Sequence, residues 1–119
     1  MIGLGDNNDK DLYWGPGCRK TLEGFPKEVQ DIVLQAFLFA QKVSKHPDAK
    51  PLKGFHGASV LEIVVPFDTN TYRAVYTTKL KEAIYVLHIF QKKSKSGIAT
   101  PKKEIDLIKL RLKQIEAQK

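Results

Sequence analysis

The chain has 119 residues, 42% of them hydrophobic and 28% charged, enough for one domain with a buried core and too apolar for wholesale disorder. Its 20 Lys and Arg outnumber 13 Asp and Glu, and the net charge of +7 favours nucleic acid, an anionic membrane or an acidic partner. No apolar run reaches the roughly 20 residues of a bilayer span, and one cysteine, Cys18, excludes an internal disulfide and a multi-cysteine zinc site.

Residues 1–10 are rich in Gly, Asn and Asp and lack the apolar core of a signal peptide. They are expected to be a disordered extension to a single domain over 11–119, and the chain is expected to be cytoplasmic. Asp11-Leu12-Tyr13-Trp14 reads as a short edge strand, ended by Gly15-Pro16-Gly17. Arg19 to Glu23 forms a brief helical turn. Pro26 then suits the first position of a longer helix, with Glu28 in its positive first turn. Val29, Ile32, Val33, Ala36, Phe39, Ala40 and Val43 recur at helical spacing. Leu34, Phe37 and Leu38 widen this stripe, so the helix is expected to be buried on more than one side. His46-Pro47 marks its end.

Pro51 to Gly57 reads as a loop with two glycine turns. Three strands follow: Val60 to Val65, the alternating Thr71 to Thr78, and the almost wholly apolar Ile84 to Phe90. The connections between them are short enough for antiparallel hairpins. A last helix starts with Thr100 as cap and Pro101 at its first position. Ile105, Ile108, Leu112 and Ile115 form its apolar stripe, with the lysines and Arg111 largely elsewhere. The expected class is α+β: a small antiparallel sheet of three to four strands, helices on one face and the other face open.

Familiar catalytic and phosphate motifs are missing. There is no Gly-rich phosphate loop, no Gly-x-Ser-x-Gly elbow and no His-Glu-x-x-His pair. The three histidines, His46, His56 and His88, are far apart in sequence and lack cysteine partners, so neither a metal nor a cofactor is expected. What remains is polar residues inside strand patterns. Glu62 and Arg73 can lie close on one face, either as a structural ion pair or with the guanidinium free to grip a phosphate. Register decides between such placements. His88 is either a hydrogen-bonded core residue beside Val86 and Phe90 or a proton carrier. Lys92 and Lys93 point to opposite faces of a strand end, and Lys95 lies in the loop beyond. From His88 to the C-terminus nine Lys and Arg face three acids. Positive charge on adjacent strands suits RNA cleavage by the RNA's own 2′-hydroxyl, which needs orientation, a proton acceptor and neutralisation of the crowded phosphorane.

The order of several strings carries a resemblance. Lys50-Pro51-Leu52-Lys53-Gly54, Leu61-Glu62-Ile63, Tyr72-Arg73-Ala74-Val75-Tyr76 and Tyr85 to Lys93 follow one another, then Lys93 to Gly97 and Thr100 to Ile105. Together with Trp14 and the Leu22 to Val29 entry, they resemble the phage-derived HigB-like toxins of the RelE superfamily. The resemblance implies a compact sheet flanked by helices and metal-independent endonuclease cleavage of mRNA, often on the ribosome. It also implies neutralisation by a helix-turn-helix antitoxin, with operator DNA bound only through that complex and no membrane contact. Carried over by position, Arg73 and Lys92 stabilise the scissile phosphate, and His88 or Tyr76 moves protons. Lys53, Lys93 and Lys95 bind the RNA backbone, and Glu62 orients the site. These assignments require Arg73 and Lys92 or Lys93 to converge on one open surface. Two other readings stand beside them: a non-catalytic RNA- or ribosome-binding module, and a toxin relic that binds only its antitoxin.

Overall fold

The structure is a computed structural model and describes residues 9–42, 46–55, 59–79, 83–92 and 100–117. Its elements are β1 (Asp11–Trp14), α1 (Cys18–Glu23), α2 (Lys27–Gln41), β2 (Ala49–Pro51), β3 (Val60–Phe67), β4 (Asn70–Thr77), β5 (Ala83–Lys92) and α3 (Lys102–Ala117). The strands form one five-stranded sheet in the order β1-β5-β4-β3-β2. β1 runs parallel to β5, and every other pairing is antiparallel. The α+β class therefore stands, with one or two more strands than the sequence reading counted. β1 stands at one edge as Asp11–Trp14 was read, but its parallel pairing makes the sheet mixed rather than antiparallel; the unforeseen strand is β2 at the other edge, too short for periodicity to show.

The arrangement of helices corrects the expectation more deeply. α1 and α2 cover one face, where Val29, Val33, Ala36, Phe37 and Ala40 pack with Ile63, Ala74, Tyr76, Ile84 and Val86. α3 covers the opposite face, where Ile108 joins Val60, Val75 and Leu87, flanked by Ile105, Leu112 and Ile115. Both faces are thus roofed, because β4 alternates apolar residues on each side: Ala74 and Tyr76 one way, Val75 the other. Burying each of the larger side chains here, such as Phe37, Ile63, Val75 or Leu87, contributes roughly 1.5–3 kcal/mol. On α2 only one side is buried, since Leu34 and Leu38 remain 38% and 54% exposed. Pro26 sits just before α2 rather than in its first turn, and the helix closes at Lys42. Val43 lies outside the described residues.

Of the first ten residues, 1–8 also lie outside the described residues. Lys10 exchanges hydrogen bonds with Gln41, through main chain at 2.9 Å and the Gln41 amide at 2.8 Å, and Lys42 pairs with Asp9 at 3.1 Å. No helix among the described residues is long and apolar enough to cross a membrane.

Two tight places fix the sheet. Gly15 donates its N–H to the Val86 carbonyl at 2.8 Å, and a Cβ on Gly15 would lie 2.6 Å from that oxygen. The β3–β4 hairpin turns on Asp68 and Thr69 alone, with φ of 50° and 69°. Positive φ at both central residues is the hairpin geometry that matches strand twist, but Thr69 is β-branched and strained there. Thr69→Gly is expected to raise stability by about 0.5–1 kcal/mol, the relief of left-handed strain less the added freedom of the unfolded chain. Urea unfolding measures it, and a lower midpoint would contradict this reading of the turn.

Candidate functional site

The residues singled out by sequence divide between the two sheet faces. Tyr72, Ala74 and Tyr76 point to the α2 side, whereas Arg73, Val75 and Thr77 point to the α3 side. Tyr76 is fully buried, edge-on to Phe37 at 5.4 Å, and its hydroxyl has no hydrogen-bond partner among the described residues. It therefore lies across the sheet from Arg73 and cannot share a surface with it, which corrects its assignment as a proton carrier. Burial pushes the Tyr76 phenol up to about 12 from its ordinary 10.0. The folded state keeps the proton where the unfolded chain loses it. Stability from this group is thus fully present below pH 10 and lost as pH rises towards 12. Tyr76→Phe is expected to remove that alkaline loss and to leave neutral-pH stability equal or higher, because no bond is broken. Denaturant melts at pH 8 and pH 11 check it; a large loss at neutral pH would reveal a partner for the hydroxyl.

Arg73 is 2% exposed. Register sets it opposite Val64 while Glu62 lies opposite Val75, so the two are diagonal neighbours on one face. Arg73 Nη1 donates to Glu62 Oε2 at 3.0 Å and to Thr100 Oγ1 at 3.3 Å, and the Thr100 hydroxyl donates to the same Glu62 oxygen at 2.6 Å. This closed triangle corrects two expectations. The guanidinium is not presented to a phosphate, because the residue leading into α3 seals it against Glu62. Thr100 directs its hydroxyl to this pair, and the backbone N–H groups of Glu104 and Ile105 bond to the Pro101 carbonyl. The ion-pair alternative is the one observed.

A second cluster lies on the same face. His88 Nε2 is 2.6 Å from Glu104 Oε1, and its Nδ1 is 3.4 Å from Arg111 Nη1, which donates to the Leu87 carbonyl at 2.8 Å. Since the guanidinium can only donate, this geometry fits Nδ1 as acceptor and Nε2–H as donor to the carboxylate. The imidazole stacks on Phe90 at 5.0 Å and its side chain keeps 13% exposure. A bulge makes this possible. Val75 pairs with His88 but Tyr76 pairs with Val86, leaving Leu87 as the extra residue. Val86 therefore faces α2 while His88 faces α3. The plain alternation that grouped His88 with Val86 fails at this one point.

Glu104 and Arg111 were not among the expected site residues. Their spacing from Ile108, four residues before it and three after, puts both beside the apolar stripe of α3, the signal that could have marked them. Arg111 is half-buried against the sheet rather than on an outer face of α3.

Lys92 is half-buried opposite Thr71, on the face that carries Arg73 and His88. Lys50 is exposed opposite Glu62 on that face, and Lys53 is exposed in the turn at Gly54. Lys93, Lys95 and His56 lie outside the described residues. His46 is buried and its Nδ1 accepts the Asp48 N–H at 3.1 Å, a local turn contact. Cys18 is buried, and desolvation pushes its thiol up despite the nearby Arg111. The structure thus brings together Glu62, Arg73, His88 and Lys92 on one face and separates Tyr76 from them.

Comparison with known proteins adds a family. Residues 20–113 match the model of the phage-derived protein Gp49-like family. The chain belongs to that family. Gp49-like proteins are a RelE-type toxin family, so the resemblance carried by the ordered strings from Lys50 to Ile105 is borne out. A search of the curated proteins finds no match. Among solved structures, the chain is similar to a chain of the toxin–antitoxin complex RelBE2 from Mycobacterium tuberculosis, at 19% identity and a TM-score of 0.43. That similarity covers 72% of this chain and 94% of the other.

Proposed function

We propose that this Gp49-like chain is the toxin of a toxin–antitoxin pair and cuts messenger RNA by 2′-hydroxyl attack, without a metal, on ribosome-bound transcripts. The observation that carries the reading is His88, held at 2.6 Å by Glu104 on the sheet face that also bears Lys92. In this reading His88 Nδ1, the ring nitrogen with the lone pair, accepts the 2′-hydroxyl proton as the Arg111 guanidinium moves off its 3.4 Å contact, and the Glu104 carboxylate stabilises the imidazolium that forms. Lys92 neutralises the phosphorane, and Lys53, Lys93 and Lys95 hold the RNA backbone. Arg73 moves from phosphate clamp to positioning residue: with Glu62 and Thr100 it fixes where α3 begins, and α3 brings Glu104 to His88. A helix-turn-helix antitoxin neutralises the toxin, the complex rather than the chain binds operator DNA, and the site of action is the cytoplasm.

One observation favours a second reading, a ribosome- or RNA-binding module without chemistry: the one arginine in the strand meander is sealed at 2% exposure. Induction in a bacterium separates the two. Growth arrest with shortened reporter transcripts is expected, relieved by co-expressing the helix-turn-helix partner. Unimpaired growth at a confirmed level of folded protein would overturn the toxin reading, and arrest with intact transcripts would favour the binding module.

A further inference from the structure

The guanidinium of Arg111 serves the His88 cluster with one nitrogen only. Among the described residues its bonds all use Nη1: to the Leu87 carbonyl at 2.8 Å, to His88 Nδ1 at 3.4 Å and to Cys18 Sγ at 4.0 Å. Arg111 also lines a cavity of about 230 Å³ between the second half of α3 and the β1–β5 edge of the sheet, together with Trp14, Gly15, Tyr85, Leu87 and Gln114. The parallel register of β1 sets Tyr13 beside Tyr85. Their rings stack with centroids 5.1 Å apart and planes 24° apart, and Tyr13 stays 46% exposed. Gly15 contributes no side chain to this cavity, since a Cβ there would strike the Val86 carbonyl.

We propose that this cavity receives one unpaired nucleobase of the RNA, beside the His88 cluster, an inference that rests on the RNA reading above. The volume falls below the roughly 300–1,000 Å³ of sites for drug-sized ligands, so the guest is a fragment of about base size. Its lining suits a flat, polar-edged ring: aromatic carbon from Tyr85 for stacking and apolar Leu87 beneath, while the Trp14 indole packs edge-on to Phe37 on the other face of the sheet. The Gln114 amide both donates and accepts, and Arg111 donates, which together read a base edge. The net charge of +7 draws the polyanion that carries the base. Arg111 then links recognition to chemistry. A base engaging its outer edge draws the guanidinium off His88 Nδ1 and frees that lone pair for the proton, which makes Arg111 a positioning residue.

The indole of Trp14, the one tryptophan, lies across the sheet against Phe37, so amide signals of the lining residues report occupancy. The test titrates the full chain with each of the four nucleoside monophosphates and with a ten-nucleotide single-stranded RNA. The amide signals of Gly15, Tyr85, Arg111 and Gln114 are followed. Saturable changes with at least one base are expected. Tyr85→Leu is expected to weaken binding roughly 5- to 140-fold, the equivalent of one base–aromatic stack. Gln114→Leu, on an exposed position that should not disturb folding, is expected to alter the preference among the four bases. No change at the cavity with any nucleotide or with the oligomer would overturn the proposal, as would equal affinity in both variants. The titration needs no cleavage. Binding here by a chain that leaves transcripts intact keeps the pocket and removes the proposed chemistry.

Discussion

Glu62→Ala is expected to lower the unfolding free energy by about 3–5 kcal/mol, the largest stability effect of any single substitution in the site. The reason is the Arg73 guanidinium, 2% exposed and unable to give up its charge. Without the Glu62 carboxylate the triangle no longer supplies a negative charge to it, and the Thr100 hydroxyl is a neutral partner. A neutral group in place of each partner should behave differently. Glu62→Leu with Arg73→Met removes both charges together, and stability close to that of the parent chain is expected. Urea unfolding of the single and double variants decides it, with the slope checked for constancy. A single variant within 1 kcal/mol of the parent would mean that the Arg73 charge is compensated without Glu62. The consequence for function is direct. Loss of toxicity in Arg73→Ala reports on catalysis only if that variant is shown to fold.

His88→Gln is expected to slow transcript cleavage roughly 10²- to 10⁴-fold, the usual contribution of a positioned proton carrier, while leaving the chain folded. The glutamine amide can still donate to Glu104, so the contact between β5 and α3 survives. Glu104→Gln is expected to cost less, because it removes the charge that stabilises an imidazolium but not the imidazole. Single-turnover cleavage with circular dichroism on the same samples measures both. A His88→Gln variant that cuts at the parent rate would return His88 to a purely structural role between strand and helix.

The sequence reading of the fold succeeded where hydrophobic periodicity was long. α2, β3, β4, β5 and α3 all fall within a few residues of their expected places. It failed at β2, whose three residues are too few for any period to register. It failed again in assigning one roofed face, because Val75 and Leu87 were legible as apolar while the side they serve depends on register and on the bulge at Leu87. The site shows the same division. Glu62, Arg73, His88 and Lys92 were picked out as polar residues inside strand patterns, and all four share a face. What strand patterns do not contain is the partner across the fold. Thr100, Glu104 and Arg111 come from 27, 16 and 23 residues further along the chain than the groups they bind. Those partners convert Arg73 from a free cation into half of a buried pair, and His88 from an isolated ring into one held at both nitrogens. Tyr76 was legible as a strand residue, but its side of the sheet was not weighed against that of Arg73.

The chemistry of the cut ends tests the central claim most directly. Purified protein is incubated with free transcript in EDTA and, separately, with translating ribosomes in the Mg²⁺ that they require. Attack by the 2′-hydroxyl leaves a 2′,3′-cyclic phosphate on one fragment and a 5′-hydroxyl on the other, and those ends are expected. Intact transcript under both conditions would contradict it. So would fragments that form only with added divalent cation and end in a 3′-hydroxyl.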